Sequence, residues 1–126
     1  MLSDARFHAT LPCSDFERAK TFYADKLGLT PVDDQPAGAF YEGADGTRFL
    51  LFPSGGVASG SHTQMGFTVA DIDATVADLK SRGVQFEDYD FAGFDKATSI
   101  ASTGPVRSAW FKDSEGNLLG VVQLPS

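Results

Sequence analysis

One order of elements occurs twice in this chain, and that repeat constrains the fold more than any other feature. Segment 7–11 reads as a strand, and Ser14-Asp15-Phe16-Glu17 holds the serine and glutamate of a capping box. Phe16, Ala19, Phe22, Tyr23 and Leu27 recur at helical spacing, and Gly28 stands where a left-handed cap closes a helix. Residues 29–32 begin another strand, and "FYEGADGTRFLLF" reads as a hairpin about Asp45-Gly46. The second half follows the same order. "MGFTV" is a strand and Asp71 a helix cap; Ile72, Val76 and Leu79 share one helical face. Gly83 closes that helix, residues 84–86 are extended, and "AWFKDSEGNLLGVVQ" is a hairpin around Gly116. Asp15 aligns with Asp71, Gly28 with Gly83, and Gly46 with Gly116.

Each half therefore reads strand–helix–strand–strand–strand. Such a unit covers only one face of its sheet with its own helix, so two units must share what is left. The expected fold class is α+β: two βαβββ repeats forming a cupped mixed sheet with helices on the outer face. The expectation is a single domain over 1–126, with repeat one at about 5–53 and repeat two at about 62–124. Segment 89–108, "YDFAGFDKATSIASTGPVRS", finds no counterpart in the first half. It is expected to be a functional lid or disordered, with Phe91 and Phe94 flanking Gly93 and able to fold over a bound molecule.

Composition narrows the partners. A net charge of −7 argues against sequence-independent binding to DNA, RNA or anionic membrane, which need clustered lysine and arginine. No apolar run is long enough to span a bilayer, and the start is not basic-then-apolar. The single cysteine, Cys13, cannot form an internal disulfide, and a cytoplasmic home is expected.

Alternation along strands sorts side chains into two faces. Phe7, Ala9 and Leu11 form the apolar set expected under the helices, so Arg6, His8 and Thr10 face the cavity. Arg48, Leu50 and Phe52 share a face. An even-length turn places Tyr41 with them, with Phe40 and Glu42 opposite. By the repeat offset, Phe111 matches Tyr41 and faces the cavity, as does Arg107, while Trp110 matches Phe40 and faces the core. His8 lies seven residues before Asp15 and Gln64 seven before Asp71. Leu50 lies four after Gly46 and Gly120 four after Gly116, so these too are repeat mates.

"SDFERAKTFYADKLGL" and "WFKDSEGNLLG" resemble motifs of the vicinal oxygen chelate superfamily: glyoxalase I, extradiol dioxygenases, fosfomycin-resistance enzymes and bleomycin-binding proteins. The resemblance covers nearly the whole chain and implies a cupped pocket commonly completed by a homodimer. It also implies four metal-ligand positions, which fall on His8, Leu50, Gln64 and Gly120. His8 fits and Gln64 is chemically possible through its amide oxygen. Leu50 and Gly120 carry no donor, and a tight divalent site needs three or more protein ligands. The expectation is therefore no cofactor and a lost metal site. The alternative is a divalent metal held by His8 and Gln64, with His62 recruited by a change of register.

His8 keeps three open roles: a hydrogen-bonded remnant, a ligand contact, or a general base if the protein is an enzyme. The expected binding set is His8, Tyr41, Arg48, Leu50, Phe52, Gln64, Phe111 and Gly120, mostly an aromatic and aliphatic bowl. The function expected is metal-free binding of a small, largely apolar or aromatic molecule. The alternative is a metal-dependent or cofactor-free lyase, isomerase or dioxygenase using His8. The partners expected are a small-molecule ligand and a second copy of the chain, with no nucleic acid and no membrane.

Overall fold

The computed structural model describes residues 1–125. After a 3-10 turn at Leu2–Asp4, the first repeat runs β1 (Ala9–Cys13), α1 (Phe16–Leu27), β2 (Asp33–Gln35), β3 (Gly38–Glu42) and β4 (Arg48–Pro53). The second runs β5 (Met65–Thr68), α2 (Ile72–Ser81), β6 (Phe94–Asp95), β7 (Ile100–Thr103), β8 (Val106–Lys112) and β9 (Leu118–Gln123). The chain is α+β, and each repeat builds its own mixed sheet. The strand orders are β1-β4-β3-β2 and β5-β9-β8-β7-β6. In both, the first strand pairs parallel with the last, and the rest of the sheet is antiparallel.

The helices start on mirrored caps. Asp15 accepts from Arg18 N at 3.0 Å, and Asp71 accepts from Ala74 N at 3.1 Å. The capping box expected from Ser14 and Glu17 does not form. Ser14 donates to Glu115 of the far hairpin, and Glu17 pairs with Lys20 at 3.1 Å. Gly28 closes α1 at φ 68°, a left-handed geometry that glycine adopts without steric cost. Leu11, Leu51, Tyr23, Ile72, Val76, Leu119 and Val121 belong to one buried cluster, so the helix-facing sides of both repeats share a core.

Three expected boundaries shift. The first strand begins at Ala9, leaving Phe7 86% exposed instead of under a helix. The strand expected from residue 29 begins at Asp33. Segment 89–108 is neither structureless nor without a counterpart. Val32 N donates to Phe40 O at 2.8 Å in repeat one, and Glu87 N donates to Trp110 O at 2.7 Å in repeat two. The edge strand thus begins equivalently in both, leaves β8 in the second, and returns as β7 beside β8. The excursion also contributes β6, which pairs with β7.

Candidate functional site

Register decides which side chains reach the outer faces, the faces turned away from the helices. Thr10 pairs with Leu50 and Leu50 with Phe40, so these three line up across β1, β4 and β3. In the second sheet Gly66 pairs with Gly120 and Gly120 with Trp110. Gln64 N donates to Leu118 O at 2.8 Å, which continues that ladder and sets Gln64 on the same face. His8, Arg48, Leu50, Phe52, Gln64 and Gly120 thus have the expected facing.

Tyr41 and Phe111 do not. Tyr41 pairs with Phe49 and Phe111 with Leu119; both are 1% exposed, inside the core. Tyr41 stacks on Phe49 with centroids 4.8 Å apart, and burial pushes its hydroxyl pKa up to about 12. The cause is loop length. Residues 43–47 and 113–117 each separate the last paired residues of a hairpin, and five residues is an odd number. An even turn, as expected, would put Tyr41 and Phe111 outside; the odd loop puts Phe40 and Trp110 there instead. Arg107 is corrected for the same reason. It turns toward α2, where its Nη1 and Nη2 donate to Asp73 at 2.6 and 2.9 Å. Glu42 moves the other way, onto the face of Arg48, whose Nε donates to it at 3.0 Å.

The four implied ligand positions fit a metal poorly. Leu50 offers carbon only. A Cβ at Gly120 would lie 3.3 Å from the Thr63 methyl and 3.5 Å from the Trp110 ring, so side chains of other positions crowd that slot. His8 makes no side-chain hydrogen bond among the described residues; its ring packs edge-on to Phe40 at 5.4 Å. The described residues contain no group of three or more His, Cys, Asp or Glu side chains placed to hold a metal ion. His62 does not approach His8 in a shared cavity. The cavities they line have no residue in common.

His8 lines a cavity of about 390 Å³ at the seam of the repeats, with Phe7, Glu42, Arg48, Phe49 and Phe67. Trp110 lines another, of about 240 Å³, with Ser61, His62, Thr63, Tyr89, Phe91 and Leu118. The excursion supplies its aromatic wall. Tyr89 meets Trp110 edge-to-face at 5.5 Å and 86°, and Phe91 and Phe94 pack on Tyr89 at 5.9 and 5.7 Å. Phe94 N donates to Phe91 O at 3.2 Å, and Ser102 N donates to Gly93 O at 2.8 Å, so this turn is seated on β7. Trp110 Nε1 donates to Thr63 Oγ1 at 3.0 Å, so the indole N–H is paired within the chain. Trp110, Tyr89 and Thr63 are outside the set expected from sequence. The legible signal was the odd count of residues in the "KDSEGNL" turn.

Cys13 is inert by its surroundings. Its thiol donates to Phe52 O at 3.3 Å, and burial, with Glu115 and Asp113 nearby, pushes it up to about 11. Among the described residues no helix is long and apolar enough to cross a membrane.

Two mixed sheets, the first of βαβββ order and the second of the same order with the short β6 added, with corresponding faces free of helices, define a paired-repeat fold seen in known proteins. The model of the Glyoxalase/Bleomycin resistance protein/Dioxygenase superfamily matches residues 6–121, and the chain belongs to that superfamily. The Bacillus subtilis (strain 168) protein YurT is 31% identical in an alignment 125 positions long, gaps included, that covers 86% of this chain and 91% of YurT. The crystal structure of UcmS2 superposes with a TM-score of 0.74 at 22% identity, covering 94% of this chain and 97% of UcmS2. TnmS3, an antibiotic binding protein from Streptomyces sp. CB03234, superposes with a TM-score of 0.64 at 24% identity, covering 97% and 98%.

Proposed function

We propose that this protein binds a small, largely apolar or aromatic molecule on its outer sheet faces, without a metal and without turnover. The observation that carries the reading is the cavity walled by Trp110, Tyr89, Phe91 and Leu118. Its wall is aromatic along Trp110, Tyr89 and Phe91 and polar at Ser61, His62 and Thr63, and aromatic faces of this kind suit a flat ligand. The donor set supports loss of the family metal, since Leu50 and Gly120 contribute no oxygen or nitrogen side chain. The antibiotic-binding role given to TnmS3 is consistent with capture as a mode of action for this fold. β1 and β5 are unpaired sheet edges, and a second copy of the chain pairing there would enclose the outer faces. With its buried thiol, the protein suits the reducing cytoplasm.

The chain has one tryptophan, so its fluorescence reports this cavity directly. Titration with planar aromatic compounds should quench Trp110 saturably, one molecule per cavity, and raise the melting temperature. Absence of both effects across a broad panel sinks the reading. After incubation with nickel, zinc, manganese and iron(II), the purified protein should retain no near-stoichiometric metal. Retained metal that disappears in His8→Ala reverses the metal-free assignment.

A second reading, turnover with His8 as base, draws on the seam cavity, where His8 stands with Glu42 and Arg48. It requires a reaction that His8→Ala abolishes while the fold persists.

A further inference from the structure

We infer that the chain holds a second binding site on the helix side of its sheets, a cavity of about 160 Å³ between the repeats that takes one compact hydrocarbon ring. This site is independent of the outer-face reading, since it shares no lining residue with the Trp110 cavity.

The two repeats build it together. Gly28 sits between Leu27, at the end of α1, and Leu29, and its left-handed φ of 68° turns the chain there; both leucines line the cavity. Repeat two supplies the opposite walls, with Val69 and Leu79 half-buried and Phe111 and Val121 each 1% exposed. All six belong to the shared core or pack against it, so the cavity is a recess of the core at the joint between the repeats.

Its chemistry selects against polar occupants. Thr75 carries the one polar side chain of the lining, and its hydroxyl hydrogen is spent on Asp71 O at 2.9 Å. The buried side-chain polar atoms without a partner among the described residues, Tyr41 Oη and Asn117 Oδ1, belong to residues outside this lining. A polar ligand therefore finds one side-chain partner at most, and an ordered water needs about two to four. A hydrocarbon needs none, and its atoms supply the dispersion contacts that the facing side chains lack across the gap. The volume fits a single ring: an engineered cavity of about 150 Å³ lined by Leu, Ile and Phe stays dry and takes benzene. The neighbouring seam cavity differs in kind. Leu29 and Phe67 line both, but the seam adds the charged Glu42 and Arg48.

Methyl-resolved NMR and thermal denaturation of the full chain, with benzene and with pyrazine, test this. The two rings share a shape, but pyrazine has an acceptor nitrogen at each end, so one must enter the cavity. Benzene should shift the methyls of Val69, Leu79 and Val121 saturably and raise the melting temperature by about 2 °C or more. It should bind about tenfold or more tighter than pyrazine. The Met65 methyl in the seam cavity and the Leu118 methyls in the Trp110 cavity serve as internal controls. Thr75→Leu and Val69→Leu each fill the recess from a different wall and should abolish the response, whereas Thr75→Val removes only the hydroxyl and should keep it. Circular dichroism checks that each variant folds. No shift at Val69, Leu79 and Val121, a response confined to Met65 or Leu118, equal binding of pyrazine, or a response that survives both filling variants each overturns the inference and leaves the outer-face reading standing.

Discussion

Glu115 lies in the turn of the last hairpin, yet its side chain is only 1% exposed. Its carboxylate accepts the N–H groups of Ser14 and Asp15, both at 3.0 Å, and two N–H groups of Arg18, at 2.8 and 3.0 Å. It thus caps the start of α1 from the other repeat, where the helix dipole favours negative charge. Burial alone would raise its pKa, but the Arg18 pair and the donors at Asp15 and Ser114 outweigh that and hold it at about 2. A carboxyl depressed in the folded state contributes stability above its unfolded value of 4.5, and that contribution is lost as pH falls toward 2. Melting temperature should therefore drop between about pH 5 and 2, and Glu115→Gln should flatten that drop. Because Arg18 is half exposed, the loss at neutral pH should be about 1–2 kcal/mol by urea denaturation. Beneath this, Tyr23 donates to the buried Asp113 carboxylate at 2.7 Å, and Asn117 Nδ2 donates to it at 2.8 Å. Tyr23→Phe removes one of those donors and should cost about 1–3 kcal/mol in the same assay. The contacts that join the repeats are not legible in sequence, since Ser14 and Glu115 are 101 residues apart and Tyr23 and Asp113 are 90 apart.

At the next scale up, loops decide what strands present. The two repeats use hairpin loops of equal length, and that length sets Tyr41 and Phe111 inside and Phe40 and Trp110 outside. Asp45-Gly46 reads as a two-residue turn because that dipeptide so often forms one. Here it sits in a 3-10 turn over Ala44–Gly46, closed by Gly43 N donating to Thr47 O at 2.8 Å. Deleting one residue from this loop would set Tyr41 against the wrong face and should leave no cooperative thermal transition. The excursion of repeat two depends on one glycine. Gly93 has φ 91°, and a Cβ there would lie 2.5 Å from Ser102 O. Gly93→Ala must displace the turn that carries Phe91 and Phe94. It should lower stability by about 2 kcal/mol or more and weaken the near-ultraviolet dichroism of Trp110. Helices were the most legible elements: α1 and α2 follow from apolar spacing and from Asp15, Gly28 and Asp71, all local signals.

For the whole molecule, the two sheets share a core on their helix sides and leave apolar surface half covered on the other sides, including Phe40, Leu50, Phe52 and Trp110. Sedimentation of the purified protein should give twice the chain mass of 13.4 kDa, and Leu50→Lys should shift it toward the monomer at micromolar concentration. A monomer at all accessible concentrations would mean that the outer faces stand alone. The architecture was readable in advance because repeats, caps and apolar periods are near-neighbour properties, set by residues within a few positions of one another. The facing of the outer six residues was readable too, wherever a strand alone determined it. Tertiary packing settled the rest. It chose five-residue loops over two, brought Glu115 onto the far helix, seated Tyr89 and Phe91 against Trp110, and left His62 beside Ser59. In each case, groups distant in the chain or ambiguous in a turn are fixed by burial and hydrogen-bond satisfaction, and neither leaves a periodic trace in the sequence.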